Sequence, residues 1–306
     1  MSKMVTKNGL AIQSLAAQFM LLEPGTRIPR VEDFATDLGT GRGTIQTALK
    51  FLCEKKAIAL ESHGHQGTFL ITTDKKHLWE LAGFSSVLGV MPLPYSKCYE
   101  GLATALRAEF EKAEIPIIMA YQRGSSTRAY SLKMGRFDFA VCSKLAANYI
   151  THSDNELDTA ILLGQHSYVE SHALILRDGL GDAVTDGMKV ALDSSSYDQI
   201  LLTNTLIQGK DVSIVECAYN QIPEMLHSRI VDAAVWNSDN FHGDASSLRC
   251  RIIPINCEEF IDSTEAAIIY RKSDRFLNMF INKIIDPAKV SRIQEEVKYS
   301  ARIPKF

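Results

Sequence analysis

The sequence predicts an α/β protein in two parts: a small N-terminal helix-turn-helix module with a hairpin, and a larger two-lobed module. Three observations predict this. Two amphipathic helical segments lie on either side of a glycine within residues 31–52, and two alternating strands follow within residues 57–72. Beyond residue 87, apolar runs typical of strands alternate with helical patterns. The length of 306 residues also exceeds the common domain size of about 100–150 residues.

The two helical segments share one apolar spacing, at i, i+3, i+4 and i+7. The first stripe is Val31, Phe34, Ala35 and Leu38, and the second is Ile45, Ala48, Leu49 and Leu52. Gly39 suits the left-handed end of the first helix, and we expect Thr40 to cap the second. A dinucleotide-binding loop would need its third glycine where Thr44 stands, so that alternative is weak. A small helical protein of another function would also show such stripes.

The hairpin decides between these alternatives, because a hairpin directly after a helix-turn-helix forms a wing. Residues 25–70, GTRIPRVEDFATDLGTGRGTIQTALKFLCEKKAIALESHGHQGTFL, resemble the winged helix-turn-helix of the GntR regulators. The resemblance implies DNA binding, with Arg42 as the arginine that reaches DNA. The sequence departs from the family pattern at Arg30, Gly41 and Gln46, so the base preference of relatives is not carried over.

The residues predicted to face DNA lie on the second helix, before the first helix and on the wing. They are Arg30, Arg42, Gly43, Thr44, Gln46, Thr47, Lys50, His63, His65 and Gln66. Gln46 could read adenine, bond a phosphate or face solvent. His63 and His65 could bind a metal as a pair, but no third ligand lies nearby, so contact with the DNA backbone or minor groove is favoured. No metal and no cofactor is predicted.

Charge and cysteine usage limit the function classes. The formal net charge is −3, from 33 basic and 36 acidic residues, yet residues 1–78 hold 10 Lys and Arg against 7 Asp and Glu. A modest basic excess in that segment suits a DNA partner. The six cysteines form no Cys-x-x-Cys, so we expect buried reduced thiols. No apolar run approaches the roughly 18 residues of a membrane span, and no leader pattern is present, so a cytoplasmic location without a membrane partner is expected.

We expect the winged helix-turn-helix domain to cover residues 1–74, a linker 75–86, and a two-lobed α/β domain 87–306. In the linker, Leu78, Trp79 and Leu81 predict a short helix, and its composition is not that of a free tether. Four strands are predicted beyond it: Val87–Met91, Ile115–Tyr121, Phe137–Val141 and Lys189–Leu192. Between them, one helix buries Tyr99, Leu102, Ala103, Leu106, Phe110 and Ala113, and a later helix carries Ile200, Leu201, Asn204 and Ile207. This alternation predicts a parallel sheet covered by helices.

Two segments of the larger module repeat one pattern. GRFDFAVCS (residues 135–143) and SRIVDAAVWNS (228–238) each place an arginine, then an aspartate at a strand start, then Ala-Val. This repeat predicts two lobes of similar construction. Their layout resembles the type II periplasmic-binding-protein fold of solute receptors and LysR-type effector modules. Taken end to end, the chain resembles the YhfZ type of transcriptional regulator. That resemblance implies DNA binding and no particular effector.

A two-lobed fold binds ligands in the cleft between its lobes, where strand ends meet helix starts. The predicted effector-binding residues are Tyr95, Arg123, Ser125, Ser126, Thr127, Ser194, Ser195, Ser196, Trp236 and Asn237. The serines could hold an anion or merely cap helices. Arg123 and Arg128 could clamp an anion or lie on the surface, and Trp236 could stack on a ligand or belong to the core.

The expected function is therefore a homodimeric regulator that binds a palindromic operator in double-stranded DNA and responds to a small effector, with an anion as one candidate. Two alternatives stay open. The larger module could be an enzyme, although no Gly-x-Ser-x-Gly or His-Glu-x-x-His occurs and the Asp138 and Asp232 pair fits an architectural role. The chain could also bind DNA constitutively, with a second module that only dimerises.

Overall fold

The computed structural model describes residues 6–239, 250–255 and 258–306, so Cys257 lies outside the described residues. The chain divides into two compact units. One takes the chain up to Val87 together with Phe110–Ile117, and the other takes Leu88–Glu109 and the chain from Ile118 onward.

The elements of the first segment of the chain are α1 (Lys7–Met20), α2 (Val31–Asp37), α3 (Arg42–Glu54), β1 (Ile58–Ser62), β2 (Thr68–Thr73) and α4 (Lys75–Leu81). The elements that follow are β3 (Val87–Met91), α5 (Lys97–Lys112), β4 (Ile117–Tyr121), α6 (Ser125–Lys133), β5 (Phe139–Ser143), α7 (Lys144–Ser153), β6 (Leu157–Leu162), β7 (His172–Arg177), β8 (Lys189–Leu192), α8 (Tyr197–Ile207), β9 (Ser213–Glu216), α9 (Ile222–His227), β10 (Ala233–Asn237), β11 (Cys250–Pro254), β12 (Ala266–Arg271), α10 (Arg275–Ile284) and α11 (Pro287–Lys298).

The turn between α2 and α3 confirms one capping prediction and corrects another. Gly39 has a φ of +58°, as expected for the end of α2. Thr40 does not cap α3, because its N–H donates to the Ala35 carbonyl at 2.9 Å while Gly39 N–H donates to Thr36 at 3.2 Å. These two bonds close α2 as a Schellman motif. The N-terminal cap of α3 is Gly41, which has no side chain to contribute.

The helix-turn-helix packs on α1 and is followed by the predicted wing. Ile45, Ala48 and Leu52 of α3 are fully buried, and α1 contacts α3 and α4. β1 and β2 pair antiparallel around a short 3₁₀ turn, Gly64–Gln66. Arg27 adds a bridge to Phe69, so the wing has a third extended segment. The linker residues predicted as a helix form α4, in which Leu78 and Trp79 are buried.

The larger unit contains two five-stranded sheets, which define its two lobes. The first lobe has strand order β4-β3-β5-β12-β6, and the second has β11-β7-β10-β8-β9. The expected parallel pairing is found between β3 and β5 and among β8, β9 and β10. The sheets are nevertheless mixed, because β12 runs antiparallel to β5 and β6, and β7 runs antiparallel to β10 and β11. The predicted parallel pairing therefore holds for part of each sheet, and antiparallel strands complete both.

The repeated aspartates occupy equivalent places in the two lobes. Asp138 accepts a hydrogen bond from Leu88 N at 2.8 Å, and Asp232 accepts one from Lys189 N at 2.9 Å. Each aspartate also lies near an arginine of its own lobe, Arg177 at 2.7 Å from Asp232 in the second. Each side chain thus joins the start of one strand to the neighbouring parallel strand, which is an architectural role.

Helix α8 buries a different face from the one predicted. Its buried residues are Asp198, Gln199, Leu202 and Thr203, whereas Asn204 is exposed and Ile200 only half-buried. The predicted apolar face of α5 is confirmed from Tyr99 to Phe110, whereas Ala113 lies beyond the end of the helix and is half-buried. A helix buries an aspartate and a glutamine where they face polar surroundings. On α8, these two residues face the cleft between the lobes.

Among the described residues, Cys53, Cys98, Cys142 and Cys217 form no disulfide. Cys98 and Cys142 are buried as expected, but Cys53, Cys217 and Cys250 are only half-buried, which corrects the expectation of uniformly buried thiols. Among the described residues, no helix has the length and apolar character needed to cross a membrane.

Candidate functional site

The predicted DNA-facing residues of α3 share its exposed side. Arg42, Gln46, Thr47 and Lys50 are exposed, and Thr44 is half-buried. They lie opposite the apolar residues that pack on α1. Burial of that apolar face therefore leaves these side chains exposed to solvent. A Cβ on Gly43 would meet nothing within 4 Å, so packing inside the chain does not require glycine there.

Each basic side chain of this surface lies beside an acidic one. Arg42 lies 3.3 Å from Glu32, with exposed fractions of 70% and 49%, and Lys50 lies 3.7 Å from Glu54. Exposed pairs of this kind contribute about 0–1 kcal/mol, so a phosphate can replace the glutamate at little cost. Thr47 donates its hydroxyl to the Gly43 carbonyl at 2.8 Å, which leaves its lone pairs available.

The wing and the start of α2 extend the same set of exposed residues. His63, His65 and Gln66 are exposed, and the His63 ring lies 5.0 Å from the Phe69 ring and 3.3 Å from Glu61. Arg30 is exposed just before α2, where its backbone N–H donates to Asp33. Within residues 6–239, 250–255 and 258–306, no three His, Cys, Asp or Glu side chains are arranged to hold a metal ion.

A cavity of about 110 Å³ lies between the two lobes of the larger unit. Its aromatic lining consists of Tyr95, Tyr99, Tyr168 and Tyr219. Its charged lining consists of Arg123, Arg128, Asp193 and Asp198, with Gln199 and His172 as neutral polar neighbours. Burial lowers the pKa of His172 to about 4, so its imidazole is neutral at physiological pH. Burial raises the pKa of Tyr168 to about 12 and keeps its hydroxyl protonated.

Four of the ten predicted effector residues line this cavity as the structure describes it. They are Tyr95, Arg123, Ser125 and Ser196. Ser126, Thr127, Ser194, Ser195, Trp236 and Asn237 are not in its lining. Trp236 stacks on Tyr219 at 4.4 Å between ring centroids, with 6° between planes, so it supports the cavity wall from behind.

The predicted serines bond within the protein. Ser126 donates its hydroxyl to the Ser195 carbonyl at 2.9 Å, and Ser125 accepts from Tyr197 N at 3.1 Å. These bonds join the N-terminus of α6 in the first lobe to that of α8 in the second. Ser196 caps α8 by accepting from Gln199 N, and Ser194 donates to Glu216 at 2.6 Å. Helix capping and contact between lobes explain these serines.

Arg128 is buried, which overturns the alternative that it is a surface arginine. Its side chain donates from Nε to the Val141 carbonyl at 2.9 Å, from Nη1 to the Gln122 carbonyl at 2.9 Å, and from Nη2 to the Tyr168 hydroxyl at 3.1 Å. The sequence signal for this role is weak, since a single arginine on a short helix has no distinguishing spacing.

Asp193, Asp198 and Gln199 are among the cavity residues that sequence reasoning missed, as are Tyr168, His172 and Tyr219. Asp198 accepts the Ser143 hydroxyl at 2.6 Å, and burial raises its pKa to about 6. Asp193 accepts from Ser195 and from Tyr219 N at 2.9 Å. The available signal was the polar pair Asp198 and Gln199 in the first turn of α8, directly before the apolar run at residues 200–202.

Comparison with known proteins gives matches for two regions of the chain. Residues 23–70 match a model of a helix-turn-helix domain, and residues 74–306 match the model of the YhfZ C-terminal domain. The Escherichia coli K12 protein YhfZ is 32% identical over 306 residues, which cover 99% of this chain and 98% of that protein. A helix-turn-helix region and a C-terminal region of this chain therefore each match a family model.

Solved structures give the fold of the larger module. A crystal structure of YhfZ from Shigella flexneri is 31% identical, covers 76% of this chain and 97% of its own, and has a TM-score of 0.63. The periplasmic VFT2 domain of Bordetella pertussis BvgS matches at 16% identity over 72% of this chain and 97% of its own, with a TM-score of 0.52. The second likeness shows the two-lobed binding-protein fold alone. With a domain model that covers most of the chain and a full-length relative above 30% identity, this protein belongs to the YhfZ family.

Proposed function

We propose that this chain is a transcriptional regulator that binds double-stranded DNA through α3 and responds to a small molecule in the cavity between its lobes. The observation that supports DNA binding most is the exposed set Arg42, Gln46 and Lys50 on a helix held by α1 and flanked by a wing. In a helix-turn-helix protein such a helix enters the major groove. The remaining predicted contacts are Arg30, Gly43, Thr44, Thr47, His63, His65 and Gln66.

The regulator acts as a cytoplasmic homodimer on a palindromic operator, with its two recognition helices roughly 34 Å apart in successive major grooves. A ligand alters DNA affinity only if it binds one arrangement of the dimer more tightly than another. The linker supports such a response, because α4 packs on α1 and is not a flexible tether. The larger module has a binding role and no catalytic one in this proposal.

The test is recovery of DNA by the full chain. Genomic fragments retained by the protein are enriched, and the affinity for a recovered duplex is measured by fluorescence anisotropy. We expect Arg42→Ala to weaken binding and reduce the slope of log affinity against log salt by about 1, because one phosphate contact is lost.

Arg292→Ala is the matched control, because Arg292 is also about 71% exposed and pairs with a glutamate, Glu296, at 3.7 Å. It changes the net charge equally and should leave DNA binding near the wild-type value. Equal losses in both variants, or no retained fragment at all, would overturn the proposal.

A further inference from the structure

Arg128 is a buried cation in the cavity lining. A guanidinium carries five N–H donors. Three of them go to neutral acceptors, namely two backbone carbonyls and the Tyr168 hydroxyl. Arg128 is 2% exposed and forms no ion pair with a carboxylate of the described residues. Two N–H groups, one on each terminal nitrogen, therefore remain for an anion. A fixed planar donor pair of this kind matches a carboxylate.

A group of opposite charge, Asp198, lies on the first turn of α8. We call Arg128 and Asp198 the two poles of the cavity. Asp198 is 5% exposed, and within the described chain its carboxylate accepts one hydrogen bond, from Ser143. Gln199 is 2% exposed and donates its amide to the Val235 carbonyl at 3.2 Å, while its Oε1 has no partner in the described chain. Both residues line the cavity. A buried carboxylate with one donor and a buried amide oxygen with none are costly, and an ammonium group supplies up to three donors.

The two poles are close together. Arg128 is anchored on the carbonyl of Val141, and Asp198 is anchored on the hydroxyl of Ser143. These anchor points are two residues apart on β5, which corresponds to roughly 7 Å along a strand. Anionic and cationic groups on neighbouring carbon atoms of one small molecule can reach both poles. The cavity volume of about 110 Å³ also limits the ligand to a small molecule.

The other groups of the cavity lining add no net charge to that of Arg128 and Asp198. Arg123 lies 3.7 Å from Asp193, so these two charges offset each other. The remaining wall is aromatic, with Tyr95 and Tyr99 packed edge to face at 5.4 Å between ring centroids. A ligand that pairs with the polar groups of Arg128, Asp198 and Gln199 therefore carries one negative and one positive charge on a short skeleton and is neutral overall. It can also place a small side group against the tyrosine rings.

We propose that the cavity binds a small zwitterion of the amino-acid type. Its carboxylate pairs with Arg128, and its ammonium group donates to Asp198 and to Oε1 of Gln199. This inference rests on the proposed function only in naming the cavity as the effector site.

Calorimetric titration of the full chain with three probes of similar size tests the proposal. Alanine, in either enantiomer, carries both charges; propionate lacks the ammonium group, and ethylamine lacks the carboxylate. We expect alanine to bind about 10- to 100-fold more tightly than either singly charged probe, because each loses a charged hydrogen-bonded contact. Equal binding of propionate or of ethylamine would overturn the proposal. So would the absence of binding by glycine, serine and both alanines.

Two variants locate the binding. Asp198→Asn should weaken alanine binding about 10- to 100-fold, and Arg128→Gln should do the same, with folding checked by thermal melting. Asp182→Asn is the matched control, because Asp182 is 67% exposed and pairs with Arg251 away from the cavity lining. Unchanged alanine affinity in a folded Asp198→Asn protein would contradict the assignment. A regulator whose DNA affinity responds to a singly charged molecule would keep the proposed function and lose this inference.

Discussion

The buried carboxylate of Asp198 should lower the stability of the protein, and its replacement by asparagine should reveal by how much. Burial raises its pKa from 3.8 to about 6, against the opposing effects of the Ser143 hydrogen bond and the Arg128 charge. The folded state therefore favours the protonated form. The stability that this preference contributes is fully present below pH 3.8 and is lost as pH rises through about 6.

The difference between a pKa of 3.8 and one of about 6 corresponds to about 3 kcal/mol of unfolding free energy. Asparagine cannot ionise, yet its side-chain oxygen still accepts the Ser143 hydroxyl. We expect Asp198→Asn to be up to about 3 kcal/mol more stable than wild type at pH 8 and nearly equal to it at pH 4. A variant that gains stability while losing alanine affinity would separate the role of Asp198 in binding from its role in folding.

The assay is urea unfolding followed by tryptophan fluorescence at several pH values. Arg128, Tyr168 and Cys142 also interact electrostatically with Asp198, and Asp239 has its own pKa raised to about 6 by burial. Subtraction of the wild-type curve removes their titration, because these groups are common to both proteins. A difference that does not change with pH, or a variant less stable than wild type at pH 8, would refute the reasoning.

Three further substitutions test other contacts. Glu32→Gln should tighten DNA binding up to about fivefold in anisotropy titrations at low salt, since it frees Arg42 from an exposed pair; weaker binding would contradict this. Gly124→Ala places a Cβ 2.4 Å from the Ser195 hydroxyl at a φ of +79°, so X-ray scattering should show a larger radius of gyration, and an unchanged curve would argue against contact between the lobes. Asp232→Ala should destabilise the protein by about 2 kcal/mol in urea melts, because Lys189 N loses its acceptor; an unchanged midpoint would count against the architectural role.

The sequence was informative where local chemistry determines the structure. The stripe through Ile45, Ala48 and Leu52 predicted both the helix and its exposed side, and Gly39 predicted where the preceding helix ends. Strand β3 was predicted with its observed bounds, because a short apolar run in a buried strand needs no partner to be recognised. The repeated Arg-Asp pattern correctly indicated two lobes.

The remaining features depend on contacts between segments far apart in the chain. The mixed sheets arise because β12, late in the sequence, pairs between β5 and β6, and no local pattern encodes that insertion. Apolar periodicity also selected the wrong face of α8, because Asp198 and Gln199 are buried against a cavity. The hydrogen-bond partners of Arg128 include β5 and Tyr168, which lie far from it in the sequence and meet it only in the folded lobe. Candidate sites are therefore less predictable than the helices that carry them.

The most direct test of the central proposal is dimethyl sulfate footprinting of a retained duplex, which reads guanine N7 in the major groove. We expect the wild-type protein to protect guanines in the major groove, and we expect Arg42→Ala to lose this protection while Arg292→Ala retains it. Absence of protection, or protection that persists in the Arg42 variant, would contradict recognition of DNA by α3.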